Sequence, residues 1–101
     1  FKRQLKRMRC LNLSHTMVTD DGIERLFACN DHWSRSLIEL RLDHCQQITD
    51  YAIEIVLEAC NQLTIFLFHA CPKTTERSLQ ALEVYLNEHR GDVKQATWTI
   101  Y

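Results

Sequence analysis

The sequence predicts an α/β chain built of stacked strand–turn–helix units. The reading starts from a near-repetition. Leu40-x-Leu42-x-x-Cys45-x-x-Ile48-Thr49-Asp50-x-Ala52-Ile53, closing on Leu57-x-Ala59-Cys60-Asn61, echoes an earlier stretch. That stretch is Leu11-x-Leu13-x-x-Thr16-x-Val18-Thr19-Asp20-x-Gly22-Ile23, closing on Leu26-x-Ala28-Cys29-Asn30. The offset is 29 residues at the paired leucines and 31 at the closing cysteines. A third copy, Leu63-x-x-Phe66-x-Phe68-x-x-Cys71, follows the second without gaps at an offset of 26 residues.

Self-similarity at this period, opening on L-x-L and a polar-capped turn, is a mark of leucine-rich repeats. The expected architecture is therefore a leucine-rich repeat solenoid, with parallel strands on the concave face and helices on the convex face. Residues 1–101 read as one domain of about three repeats plus a terminal strand. Units of this kind cannot bury their own apolar side and depend on their neighbours.

Each element has a local reason. Leu40 and Leu42 alternate with Glu39, Arg41 and Asp43, the period-2 pattern of a strand with one buried face. Leu11 and Leu13 do the same in the first unit, and Phe66 and Phe68 in the third. A small Cys45 or Cys71 suits the inward bend after the strand. Thr49 or Asp50 then caps a helix, because its oxygen accepts from free first-turn amides and an acid suits the positive helix end. Ala52, Ile53, Val56, Leu57 and Cys60 form the apolar stripe of that helix. Thr19/Asp20 with Ile23, Leu26 and Phe27 repeat the device, as do Thr75/Glu76 with Leu79, Leu82 and Leu86. Asn30 and Asn61 suit left-handed exits. Asp31 to Ser36 reads as a short insertion whose Trp33 either packs over the loop or contacts a partner. Val93-x-x-Ala96-x-Trp98 reads as a fourth strand that seals the end of the stack.

Composition excludes several function classes. A net charge of −1 argues against a nucleic-acid binder driven by bulk electrostatics. No apolar run approaches the roughly eighteen residues that a membrane-spanning helix needs. The five cysteines show no C-x-x-C spacing, and Cys29, Cys45, Cys60 and Cys71 fall at repeat positions. They read as small packing residues in a reducing compartment. The chain opens on Phe1 without a signal-peptide pattern and reads as a section of a larger protein. Its basic opening (Lys2, Arg3, Lys6, Arg7, Arg9) is a solvated face or a targeting or partner-binding patch.

The run from Leu40 to Leu63 resembles the cysteine-containing leucine-rich repeats of F-box leucine-rich repeat proteins and related mitotic-exit antagonists. That resemblance covers about Leu5 to Leu86. It implies substrate or partner recognition in a ubiquitin-ligase type assembly. Thr16 stands in place of the first turn cysteine, and Thr74 and Glu76 replace the Ile and Asp of Ile-Thr-Asp. The chain contains no Leu-Pro-x-Glu-like F-box segment, and similar repeats occur in mitochondrial assembly factors.

No catalytic constellation is expected. His44-Cys45 and His69-x-Cys71 pair a base with a thiol, but at a position expected to be buried. Cys29-x-x-His32 is one half of a zinc motif with no second pair, and two glycines (Gly22 and Gly91) cannot form a phosphate loop. Asn12-Leu13-Ser14 spells a glycosylation acceptor but lies in a strand. The expectation is thus a non-enzymatic protein-interaction module with no metal, cofactor or small-molecule substrate. It is expected to be intracellular: cytoplasmic or nuclear, with the mitochondrion as alternative. The partner-binding residues are Asn12, Ser14, Glu39, Arg41, Asp43, Ile65, Leu67 and His69, which fall between the buried leucines, with Cys10, Gln95, Thr97 and Thr99 beside them. Ile65 and Leu67 would form an apolar hot spot. The alternative is a structural or assembly factor docking through its raw repeat ends or helices into a larger complex.

Overall fold

The computed structural model describes residues 8–28, 33–89, 93 and 95–97. Four three-residue strands, β1 (Cys10–Asn12), β2 (Glu39–Arg41), β3 (Ile65–Leu67) and β4 (Gln95–Thr97), form one parallel sheet in chain order. Helices α1 (Asp20–Phe27), α2 (Asp50–Ala59) and α3 (Glu76–Glu88) lie between them in sequence, and a short 3-10 turn spans Trp33–Ser36. α1 packs on α2 and α2 on α3, so the helices make one layer against one side of the sheet. Register sets three rows across the strands. Leu11, Leu40, Phe66 and Ala96 align in the middle row; Cys10, Glu39, Ile65 and Gln95 align on one side of it, and Asn12, Arg41, Leu67 and Thr97 on the other.

Threonine starts every helix. Thr19, Thr49 and Thr75 hold extended backbone, and their hydroxyls accept from the amides of Gly22, Tyr51 and Arg77. The aspartates that follow do a different job from capping their own helix: they bind the next unit. Asp20 accepts from the Thr49 amide at 2.8 Å and the Thr49 hydroxyl at 2.6 Å. Asp50 accepts from the Thr75 amide at 2.7 Å and the Thr75 hydroxyl at 2.6 Å, and also from the Ser78 hydroxyl. The Thr49 and Thr75 caps are thereby fixed by the unit before them.

The turn cysteines work the same way. The Cys45 thiol donates to the Leu13 carbonyl at 3.2 Å, and Cys71 to the Leu42 carbonyl at 3.0 Å. Thr16, in the first unit, donates its hydroxyl to the Leu13 carbonyl at 2.7 Å. The left-handed backbone sits one residue before these positions, at His15 (φ 63°), His44 (φ 58°) and Ala70 (φ 56°). Asn61 has no such role. The chain leaves α2 through Cys60 in extended conformation (φ −104°, ψ 113°), which turns the Cys60 side chain into the core.

The solenoid expectation is corrected by the overall shape. The radius of gyration is 12.5 Å, against about 13 Å for a compact 100-residue domain. The two long dimensions, 36 and 32 Å, are nearly equal, whereas a solenoid extends along one axis. Buried side chains from Ile23 to Tyr85 form one continuous cluster around Leu40, Ile53, Phe66 and Phe68. The molecule is a small compact α/β domain, not a leucine-rich repeat array.

Two aromatic residues tie the layers together. Trp33 is 2% exposed, tilted against Phe27 at 5.0 Å, and donates from its indole to the Leu26 carbonyl. It is a packing residue. The Tyr85 hydroxyl donates to the Cys60 carbonyl at 2.8 Å and accepts from the Leu63 amide at 3.3 Å. Expectations for Cys29, Asn30, Trp98, Thr99 and the basic residues Lys2 to Arg7 fall outside the described residues.

Candidate functional site

Strand alternation turns one set of side chains away from the helices. In β2, Leu40 is buried while Glu39 and Arg41 on either side are half-buried. The two lie on the same face, and Arg41 Nε donates to Glu39 Oε2 at 3.0 Å. Their side chains keep 43% and 24% of their exposure, respectively, so solvent screens the pair and its net contribution is small. It fixes the guanidinium direction more than it stabilises the fold.

At the carboxyl end of the strands a further row forms. The Ser14 hydroxyl accepts from the Asp43 amide at 3.0 Å, and Asp43 Oδ1 accepts from the His69 amide at 2.7 Å. Ser14, Asp43 and His69 are therefore joined across three strand ends through backbone–side-chain bonds. Asn12 uses its carbonyl oxygen on the Ser14 amide at 2.9 Å, a local turn that leaves its side chain at the surface. Of the expected binding residues, the structure gathers Asn12, Ser14, Glu39, Arg41, Asp43, Ile65 and His69 on this face and its rim. Leu67 differs: it is only 9% exposed, so Ile65, half-buried beside Glu39, carries the apolar surface of β3. Gln95 and Thr97 continue the two outer rows by register, and Cys10 is exposed on β1.

From the sequence, His44 and His69 stand only as candidate bases beside Cys45 and Cys71. The structure stacks the His15 and His44 rings at 4.5 Å with a 14° interplanar angle, and the His69 ring meets His44 edge-on at 5.9 Å. The signal was present: His15 and His44 stand one place before the turn residue, where left-handed backbone favours His over most side chains. Stacked rings direct their nitrogens in parallel planes. Among the described residues no group of His, Cys, Asp and Glu is arranged to hold a metal ion.

The buried thiols are poor nucleophiles. Burial pushes the Cys45 thiol up, and pushes Cys71 up to about 11 and Cys60 up to about 12. A thiol that stays protonated and donates to a backbone carbonyl offers no thiolate to a neighbouring histidine. Below the face, burial alone would raise the Asp50 carboxyl. The Ser78 and Thr75 hydroxyls and their amides outweigh that and hold it below the usual carboxylate range.

No described helix is long and apolar enough to cross a membrane. No protein-family model matches the chain, and no solved structure matches it.

Proposed function

We propose that this domain is a non-catalytic protein-interaction module that recognises a partner protein through the sheet face turned away from the helices. One observation carries the reading. Leu40, Phe66 and Phe68 are spent on the core, while the alternating positions line up in rows across the sheet, with Arg41 held by Glu39 and Ile65 beside Glu39. The mechanism is complementarity: the Arg41 guanidinium offers donors to a partner carboxylate or carbonyl, and Ile65 supplies apolar contact next to it. Because the strands are fixed by their ladders, the rows are ordered before binding, which reduces the entropy lost on association.

The free thiols of Cys45, Cys60 and Cys71 support an intracellular, reducing setting. The Leu40 to Leu63 motif extends the proposal to partner recognition in a ubiquitin-ligase type assembly.

The test is affinity purification of the full-length protein with and without R41A/I65A, read by quantitative mass spectrometry, with a thermal melt as folding control. Loss of stable interactors at an unchanged melt supports the reading, and loss of cullin or Skp1-type subunits among them supports the ubiquitin-ligase setting. An unchanged interactor set with both side chains removed overturns recognition by this face. Protection of the helix layer alone in hydrogen exchange of the intact assembly would instead favour a structural docking role.

A further inference from the structure

The helix layer has a second recessed surface, independent of the sheet face. Where α1 packs on α2, a cleft of about 300 Å³ opens, lined by Glu24 and Phe27 of α1 and by Tyr51, Ile55, Glu58 and Ala59 of α2. Its floor is apolar, and at its side the Tyr51 ring is 47% exposed. Its two charged lining residues are both carboxylates. The described ion pairs join Arg25 to Asp21, Arg41 to Glu39 and Arg77 to Glu54; among the described residues neither Glu24 nor Glu58 has a cationic partner. Among the described residues the Glu24 carboxylate accepts one hydrogen bond, at Oε1 from the Tyr51 hydroxyl at 3.0 Å.

We propose that this cleft docks a cationic amphipathic helix of a partner protein, seating an arginine between Glu24 and Glu58 over the Tyr51 ring and a neighbouring aliphatic side chain against Ile55 and Ala59. The chemistry of the lining selects that occupant. An anionic or neutral helix would leave two carboxylates facing an apolar body, whereas a guanidinium pairs with carboxylates and stacks on an aromatic face. The volume sits at the lower limit for small-molecule pockets, which suits one or two anchoring side chains of a helix laid along a groove. The field at the cleft is already negative. The hydrogen bond to Glu24, then the charge of Glu24, then burial and the charges of Asp20 and Glu58 raise the Tyr51 hydroxyl above its ordinary value.

The experiment titrates the isotope-labelled chain with a short acetylated, amidated peptide carrying arginine and leucine on one helical face. A second peptide has glutamate in place of each arginine. The arginine peptide should shift the amides of Tyr51, Ile55 and Glu58 saturably, and the glutamate peptide should not. E24Q/E58Q should weaken binding by about tenfold, as expected for two charge-assisted contacts, while E88Q on α3 leaves it unchanged. Both glutamates are exposed, so the double variant keeps the fold, and a thermal melt checks that. No saturable shift, equal response to the two peptides, shifts confined to Arg41 and Ile65 on the sheet face, or unchanged affinity in E24Q/E58Q would each overturn the proposal.

Discussion

Asp50 joins two units of the chain, and its removal can be gauged against a natural control in the same molecule. Asp50→Ala deletes three acceptor contacts: to the Thr75 amide, the Thr75 hydroxyl and the Ser78 hydroxyl. The two Thr75 contacts lie near solvent and contribute roughly 0.5–1 kcal/mol each after screening. The third differs, because Ser78 is fully buried and its hydroxyl would be left without this acceptor, at a cost of about 1–3 kcal/mol. Asp50→Ala should therefore cost about 3 kcal/mol. Asp20 makes the equivalent two contacts to Thr49, but Ala52 stands where Ser78 stands, so there is no hydroxyl to strand. Asp20→Ala should cost about 1.5 kcal/mol. Urea unfolding followed by circular dichroism measures both, and at this size each kcal/mol also moves Tm by about 4–8 °C.

pH gives an independent check. The folded Asp50 carboxyl lies below its ordinary value of about 3.9. Its contribution is therefore complete above that unfolded value and is lost as pH falls through the lower folded one. The stability gap between the wild type and Asp50→Ala should be full at neutral pH and shrink only in acid. Equal costs for the two aspartate variants, or a gap independent of pH, would refute the claim that the ionised Asp50 holds the second and third units together through Ser78.

Two further predictions concern the core. Tyr85→Phe removes the hydroxyl that joins Cys60 to Leu63 and should cost about 1–3 kcal/mol in the same unfolding assay; a change under about 0.5 kcal/mol, typical of surface sites, would show the bridge to be dispensable. With Cys71 and Cys60 pushed up to about 11 and about 12, alkylation near pH 8 mapped by peptide mass spectrometry should label exposed Cys10 quickly. Cys45, Cys60 and Cys71 should react only as fast as the domain opens, and rapid labelling of Cys71 in the folded protein would contradict its burial.

What was legible in the sequence divides by range. Period-2 alternation places Leu40 between Glu39 and Arg41, and a threonine before an apolar stripe marks each helix start; both depend on neighbours only a few residues away. The role of Asp20 and Asp50 was not legible in this way. A Thr-Asp pair reads as a local cap, and only three-dimensional stacking shows that the carboxylate serves the next threonine. Asn61 is not a left-handed exit, because the chain leaves α2 through Cys60 in extended conformation, which keeps the Cys60 side chain in the core.

The misjudged architecture has the same origin. Self-similarity counts units and says nothing about whether they run on or close, since that depends on side chains that differ between copies. Trp33, in the insertion after the first unit, packs on Phe27 and covers the end of α1. Ser34 donates to the Ala59 carbonyl at 3.2 Å and draws that insertion against α2. Tyr85 reaches from α3 back to Cys60 and Leu63. In each contact one side chain, Trp33, Ser34 or Tyr85, is not repeated in the other copies, and together they gather the helices around a single cluster. The alignment of the alternating strand positions in rows follows the repeat and was readable in advance, whereas the burial of Leu67 was not. The α1–α2 cleft could not be read, because Glu24 and Glu58 become neighbours only once those two helices pack. For this chain the repeated residues build the rows, and the unrepeated ones decide the shape that presents them.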